Sequence, residues 1–420
     1  MTEFKAADIA NPALYGDQDR LQRFYAWLRQ EQPVAFAEPE GCRPFWVVSR
    51  HADIRELERL PDIFNAGPRM TLLPISVEQS NIALFGVESG VYPLTAMDGV
   101  HHQNMRALTQ EFFLPKNIRK LEESIRDHAR AFVGNMKEAS GACDFATDVA
   151  FWYPLRVAMS ALGIAPEDEA RMLTLTHELF GAADPAVRRP GLTEAEHMVA
   201  VKRDYLAFFD GITKDRIANP RDDVATLIAT GMPGGAQMSD EERIGYYVIV
   251  ATAGHDTTAA SIVGGMKALI DNPREMQRLR DNPDLIKTFA TEAIRWTAPV
   301  KHFMRTVTQE YELHGTTFKP GDHVMLAFGA ATRDPEAFDD AASFRIDRSP
   351  NNHLAFGYGP HMCLGQYLAK LEIECFFHEF FEQIGSIELA GEAVYTEGNF
   401  VSGIRSLPVR YSRSLAAATA

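Results

Sequence analysis

Between about residues 100 and 300, apolar positions recur every third or fourth residue, the period of helices that bury one face. "KNIRKLEESIRDHARAFVGNM" carries this spacing clearly. "SDEERIGYYVIV" opens a longer run. There Ser239 followed by Glu242 is the Ser-x-x-Glu pattern that satisfies free N–H groups at a helix start. A helix over 243–270 would be roughly 40 Å long at 1.5 Å per residue, enough to cross a whole domain. The segment 181–198, "GAADPAVRRPGLTEAEHM", interrupts the pattern with two prolines and several charges. It reads as a connection between helices, either a surface loop or a mobile lid.

Elsewhere the texture differs. Short β-prone runs alternate with helical ones up to about residue 65. "YELHGTTFKPGDHVMLA" predicts a hairpin with turns at His314-Gly315 and Pro320-Gly321. A helix follows through "QYLAKLEIECFFHEFFEQI", then a β-prone end, "NFVSGIRSLPVRY", and a tail, "SRSLAAATA", expected to fray. There is no internal repeat. The order predicts a mainly α fold with small β-sheets in one domain over 1–420. Its β-containing parts lie near 30–65, 300–330 and 385–412, and its helical parts near 100–300 and 364–384.

Charge narrows the functions open to the chain. Lys and Arg total 42 and Asp and Glu 57, a net charge of −15. A broad grip on nucleic acid is excluded by that balance. The longest apolar run, 244–270, has His255 and Asp256 at its centre, where a bilayer tolerates charge worst. It therefore reads as a buried helix and not a membrane span. The start lacks the pattern of a signal peptide, and the four cysteines form no CxxC pair. The expected location is cytoplasmic, and the expected state a monomer.

One cysteine stands in an unusual frame: "HLAFGYGPHMCLGQYLAKLE", 353–372. Gly357, Gly359 and Gly365 allow sharp turns and close approach to a flat ligand. N–H groups aimed at the Cys363 sulfur, and the positive end of the helix after it, would favour a thiolate. A haem iron with a proximal thiolate is a setting in which one cysteine suffices. The alternative is a buried, inert thiol. The pattern Phe356-Gly357-x-Gly359-x-His361-x-Cys363-x-Gly365 closely resembles the signature of the haem-thiolate monooxygenases, the cytochrome P-450 family. The resemblance runs from about residue 30 to 410. It is nearest to soluble bacterial members that oxidise terpineol and related monocyclic hydrocarbons.

Three more stretches carry it. "AGHDTT", 253–258, resembles the oxygen-activating motif, with Ala253 beside the haem and Gly254 leaving room for dioxygen. Asp256 and Thr257 would manage two protons. Left to themselves, these residues read as a structural ion pair and a hydroxyl bonded to its own helix. "EAIRW" places Glu292 and Arg295 on one helical face. The resemblance adds a downstream arginine to that pair, Arg348, with Arg345 as second choice. For the haem propionates, His102 and Arg106, four apart, match the family's His-x-x-x-Arg, joined by Arg305 and His361.

The fold implied is that of the family, with haem b between the long central helix and the Cys363 loop and its helix. The reaction implied is insertion of one oxygen atom of O₂ into a C–H bond of a small apolar substrate, a terpenoid or a cyclic or aromatic hydrocarbon. Candidate substrate contacts are Val250, Gly254, Val300, Phe303, Phe400 and Val401, with more from the loop 68–86. Electrons would come from a 2Fe–2S ferredoxin served by an NAD(P)H-dependent reductase. Arg106, Lys116, Arg119, Lys120 and Lys370 are candidates for its basic docking patch. The alternatives are a peroxygenase driven by H₂O₂ and a haem protein that binds a ligand without oxidising it.

Overall fold

The structure is a computed structural model that describes residues 3–138 and 141–414. Residues 415–420 of the tail expected to fray lie outside them. Helix accounts for 55% and strand for 12%, so the prediction of a mainly α fold with small sheets holds. The largest sheet has five strands in the spatial order Val34–Ala37, Phe45–Val48, His323–Leu326, Phe303–Val307, Phe64–Asn65. It thus joins the two β-containing parts expected near 30–65 and 300–330. Phe45–Val48 runs parallel to His323–Leu326, and the other pairs are antiparallel. A three-stranded sheet joins Ala142–Asp144, Pro408–Arg413 and Ile384–Leu389. Its first strand falls inside the part expected to be mostly helical.

The hairpin pairs Tyr311–Leu313 with Thr316–Phe318. His314 and Gly315 both take positive φ, 50° and 76°. That is the two-residue turn whose twist matches the strands. The helix Ile286–Thr297 ends where Ala298 turns left-handed, φ 39°, ahead of Pro299. Proline disfavours helix in the residue before it, so the chain leaves towards the strand Phe303–Val307.

Three expectations are corrected. The helix expected over 243–270 is two helices, Asp240–Ala253 and Asp256–Asp271, with a break at Gly254 and His255. The Ser239–Glu242 capping box is present, with reciprocal bonds of 3.1 and 2.8 Å. At the break, side chains bond carbonyls four residues back: His255 Nδ1 pairs with Ala251 O at 2.7 Å, and the Thr257 hydroxyl donates to Ala253 O at 3.1 Å. Such back-bonding competes with the backbone ladder. Second, 68–86 is not all loop, because Ile75–Phe85 is a helix. Third, the connection after residue 180 ends at Thr193, which caps the helix Glu194–Ala218 with Glu196. It is held by ion pairs, Arg189 to Glu178 and Asp204 at 2.5 and 2.8 Å and Asp184 to Arg405 at 3.2 Å.

The main core lies where Gln366–Gln383 packs against Glu122–Glu138 and Ile286–Thr297. Phe145, Phe289, Phe376, Phe377 and Phe380 fill it, with Phe289 and Phe377 edge to face at 4.6 Å. This core fixes the helix that follows Cys363. Among the described residues, no helix is long and apolar enough to cross a membrane.

Candidate active site

The cysteine loop is shaped by its glycines. Gly357 and Gly359 take φ of 68° and 67°, and a Cβ on Gly359 would sit 2.3 Å from the Glu58 carbonyl. Only glycine fits that approach. The Cys363 N–H donates to Phe356 O at 2.8 Å, closing the loop on itself. Burial pushes the Cys363 thiol up, while the N–H groups of Gly365 and Gln366 and the charge of Arg106 pull it back. The donors expected at the sulfur are therefore present, but burial outweighs them in the free thiol. Phe356 lies against this loop with the Lys370 ammonium 5.5 Å from its ring.

Four nitrogen-bearing side chains border the same cavity as Cys363: His102, Arg106, Arg305 and His361. The rings of His102 and His361 stack at 4.2 Å. His361 faces Asp98 at 3.7 Å, and Asp98 accepts from the N–H groups of Ala66 and Gly67 at 2.8 and 2.9 Å. Burial first, then His361 and Arg106, pull His102 down to about 4, so it is neutral near pH 7. Arg106 donates to Met362 O at 2.8 Å. Arg305 reaches Glu58 at 3.1 Å. Glu58 is buried, pushed up to about 7 by that burial despite Arg305, and its second oxygen has no partner.

Opposite Cys363, the helix break presents Val250, Ala253, Gly254 and Thr257 to this lower cavity. Asp256 Oδ1 lies 3.6 Å from His177 Nε2, and His177 is one-third exposed. Both plain readings of the pair are thus realised: the acid has a partner, and the hydroxyl bonds back to its helix. Thr257 nevertheless lines the lower cavity and also an upper one of about 340 Å³. The upper cavity takes in Ala253, Val300, Phe303, Phe400 and Val401. Phe400 sits between Phe180 and Phe303, at 6.0 and 5.5 Å. Val250 and Gly254, expected on the substrate side, border only the lower cavity, because they sit on the Cys363 side of the break. From 68–86 come Met70 to Pro74.

Glu292 and Arg295 are fully buried and pair through two bonds of 2.7 Å. Arg348 is the arginine side chain that completes the set, its Nε 3.0 and 3.2 Å from the carboxylate. Arg345 gives its backbone N–H at 3.0 Å and turns its side chain to Asp347. Asn351 adds a further donor at 3.0 Å. Arg295 also holds the carbonyls of Thr332, Ala341 and Ser343, and Arg348 those of Asp339, Asp340 and Ser343. The network ties down the chain that leads into the cysteine loop.

A flat macrocycle with two anionic arms fits the lower cavity. One sulfur faces it from one side, a helix gap lies on the other, and cationic or N–H-bearing groups stand at one edge. The buried Arg305 guanidinium at that edge meets a single carboxylate oxygen, from Glu58, and has capacity for a further anion. Sequence reasoning missed Glu58, His177 and Glu372, the last a fully buried carboxyl on the lower cavity whose oxygens have no partner and which burial pushes well up. Each sits among charged residues in a helical stretch, which reads as a solvated face. Their burial depends on how each helix is rotated.

The cytochrome P450 family model matches residues 82–384, more than half of the chain. Cytochrome P450-terp of a Pseudomonas species is 40% identical, with 98% of each chain covered. The methyl-branched lipid omega-hydroxylase of Mycobacterium tuberculosis is 30% identical over 94% of this chain and 92% of its own. Among solved structures, CYP108D1 of Novosphingobium aromaticivorans superposes with a TM-score of 0.89 at 37% identity, covering 97% of both chains. CYP268A2 of Mycobacterium marinum, in complex with pseudoionone, gives 0.89 at 28% identity over 98% and 99%. The chain belongs to the cytochrome P450 family: it is a monooxygenase that carries haem b through a cysteine thiolate.

Proposed function

We propose that this enzyme hydroxylates a small, largely apolar molecule of terpenoid or cyclic-hydrocarbon size, with electrons from a 2Fe–2S ferredoxin and its NAD(P)H-dependent reductase. The observation that carries the reading is the upper cavity, mostly apolar and sharing Ala253 and Thr257 with the cavity of Cys363. About 340 Å³ is at the small end of ligand pockets.

Haem supplies oxygen activation and insertion of one oxygen atom into a C–H bond. The chain's own residues do the rest. Cys363 would hold the iron, its thiolate favoured by Arg106 and the N–H groups of Gly365 and Gln366. Arg106, Arg305, His102 and His361 would receive the propionates, with Arg305 shared between a propionate and Glu58. Thr257 Oγ would hold a proton at the cavity wall. Asp256, with one-third-exposed His177 beside it, would renew that proton from solvent. Phe303, Phe400 and Val401 would close around the substrate and keep water out.

The electron donor would meet the face outside Cys363. Met362 and Tyr367 are exposed there, 37% and 45%. Arg119 and Lys120 are exposed on the segment packed by the helix after Cys363. They are better candidates than Lys116, which pairs with Glu111 at 3.4 Å, or Arg106, which turns inward to Met362. Such docking would weaken with salt. The reading includes a soluble monomer in the cytoplasm.

The test is a screen of monoterpenoids and cyclic hydrocarbons for a blue shift of the haem band, then turnover with ferredoxin, reductase and NADH. A shift with matching hydroxylated product supports the reading. No shift across the set, or product with H₂O₂ alone and none with ferredoxin, overturns it.

A further inference from the structure

Most hydroxyls around the upper cavity are already bonded within the protein. Tyr205 pairs with Thr176 at 3.1 Å, Thr95 with the Met70 sulfur at 2.9 Å, and Thr252 donates to Val248 O at 2.7 Å. Ser89 donates to Val91 O. Lys202 is different. It stands on Glu194–Ala218, is 3% exposed, and borders the upper cavity but not the lower. Its Nζ donates to Asn81 Oδ1 at 2.6 Å and to Ser89 O at 2.7 Å. Both acceptors are neutral, the Phe85 ring lies 5.9 Å from the Nζ, and an ammonium has three N–H donors.

No carboxylate balances this charge, and burial alone pulls the ammonium down to about 7. Of the two acids on the cavity, Glu40 is exposed, and Glu194 lies 3.8 Å from Arg188. Burying a charge with no counter-charge is unfavourable unless something supplies one. The cavity is where that supply would arrive.

We infer that Lys202 receives a carboxylate on the substrate, which is therefore an apolar body with an anionic head at the end remote from the oxidised carbon. The inference rests on the proposed hydroxylase reading and names its substrate class. The head lies against Lys202. Leu72, Val248 and Phe400 line the cavity for the body. The far end reaches Ala253 and Thr257, which border both cavities, as do Thr95, Ile249, Val300 and Phe303. A neutral analogue would leave the ammonium desolvated and without its partner, the kind of mismatch that discriminates strongly.

The test titrates the haem-loaded enzyme with 4-alkylbenzoic acids of increasing alkyl length, each against its primary amide, following the haem-band shift. The expected result is an acid bound at least about tenfold tighter than its amide, with that preference lost in Lys202→Met and kept in Lys202→Arg. Amide affinity should hold or rise in Lys202→Met, because the mismatch with the ammonium is gone, and this shows that the pocket is intact. Amides binding as tightly as acids throughout, or an acid preference that survives Lys202→Met, overturns the inference. If Lys202→Met does not load haem, the acid-to-amide ratio of the wild type decides alone. Neutral hydrocarbons that shift the band while acids do not would sink this inference and leave the hydroxylase reading standing. A protein with no haem band would sink that reading instead.

Discussion

Glu292, behind the cysteine loop, accepts from Arg295, Arg348, Asn351 and the Arg345 N–H. Lys202, on the upper cavity, has two neutral acceptors, the Phe85 ring 5.9 Å away and no counter-charge. Both are buried charges. The first is surrounded by cations and N–H donors and holds geometry, as the position of an iron-binding sulfur requires. The second borders a cavity and has no carboxylate of its own chain to balance it. The difference teaches how to separate a brace from a binding group. A brace is satisfied by its own chain, whereas a binding group is destabilising until its ligand arrives.

The strongest way to break the comparison is at its rigid end. Cys363→Ala should abolish the thiolate-type carbon monoxide difference spectrum of the reduced protein and all turnover, since the residue offers the sulfur at the cavity. Glu292→Gln comes next. It leaves two buried guanidiniums without their carboxylate, a loss of about 3–5 kcal/mol. Thermal melts should show it as a large fall in Tm, with haem released at lower temperature than in the wild type.

At the distal side, Thr257→Ala should slow product formation about 100-fold, at the low end for a positioned proton donor. Substrate affinity should barely change, so a steep loss of affinity would argue for a packing role instead. NADH oxidation without matching product would locate the defect in proton handling.

The smallest effect sharpens the comparison by pH. Lys202 has its folded pKa lowered to about 7 from an ordinary 10.5. Below about pH 7 the charge is buried in the folded state and the penalty is complete. As pH rises from about 7 towards 10.5 the folded state sheds its proton first, so stability rises. Relative to Lys202→Met, the ligand-free wild type should gain about 2 kcal/mol between pH 7 and 9. Denaturant melts at the two pH values would measure it, and a flat difference would mean the lysine is solvated.

The parts legible in the sequence were those in which chemistry sits in a short window. The loop of Phe356 to Gly365, the Glu292–Arg295 spacing and the Ser239 capping box each fall within one turn or loop, so their geometry follows from local rules. The break at Gly254 and His255 was less legible. Apolar periodicity continues across it, and only the side-chain bonds of His255 and Thr257 divide the helix. A run of Gly, His, Asp and two Thr is poor in helix formers, and that signal could have found it. Arg348 was ranked ahead of Arg345 only through the resemblance, because the choice depends on a turn that gives Glu292 the backbone of Arg345 and the side chain of Arg348. Lys202 and Glu58 read as surface charge in amphipathic helices. Their burial is settled by neighbours distant in sequence, Asn81 and Ser89 for one and Arg305 for the other.

The five-stranded sheet has a consequence for how the molecule is made. Phe45–Val48 finds its parallel partner only at His323–Leu326, on the opposite end of the chain. Long-range pairings of this kind form slowly, and a growing chain exposes unpaired strand edges meanwhile. Val34–Ala37 and Phe45–Val48 can pair early, but the free edge of Phe45–Val48 and the strand Phe64–Asn65 must wait until about three-quarters of the polypeptide has been synthesised, and the cysteine emerges later still. Loading of the prosthetic group is therefore a late step of biogenesis, and a supply of haem timed to the end of synthesis would serve this protein better than one present from the start.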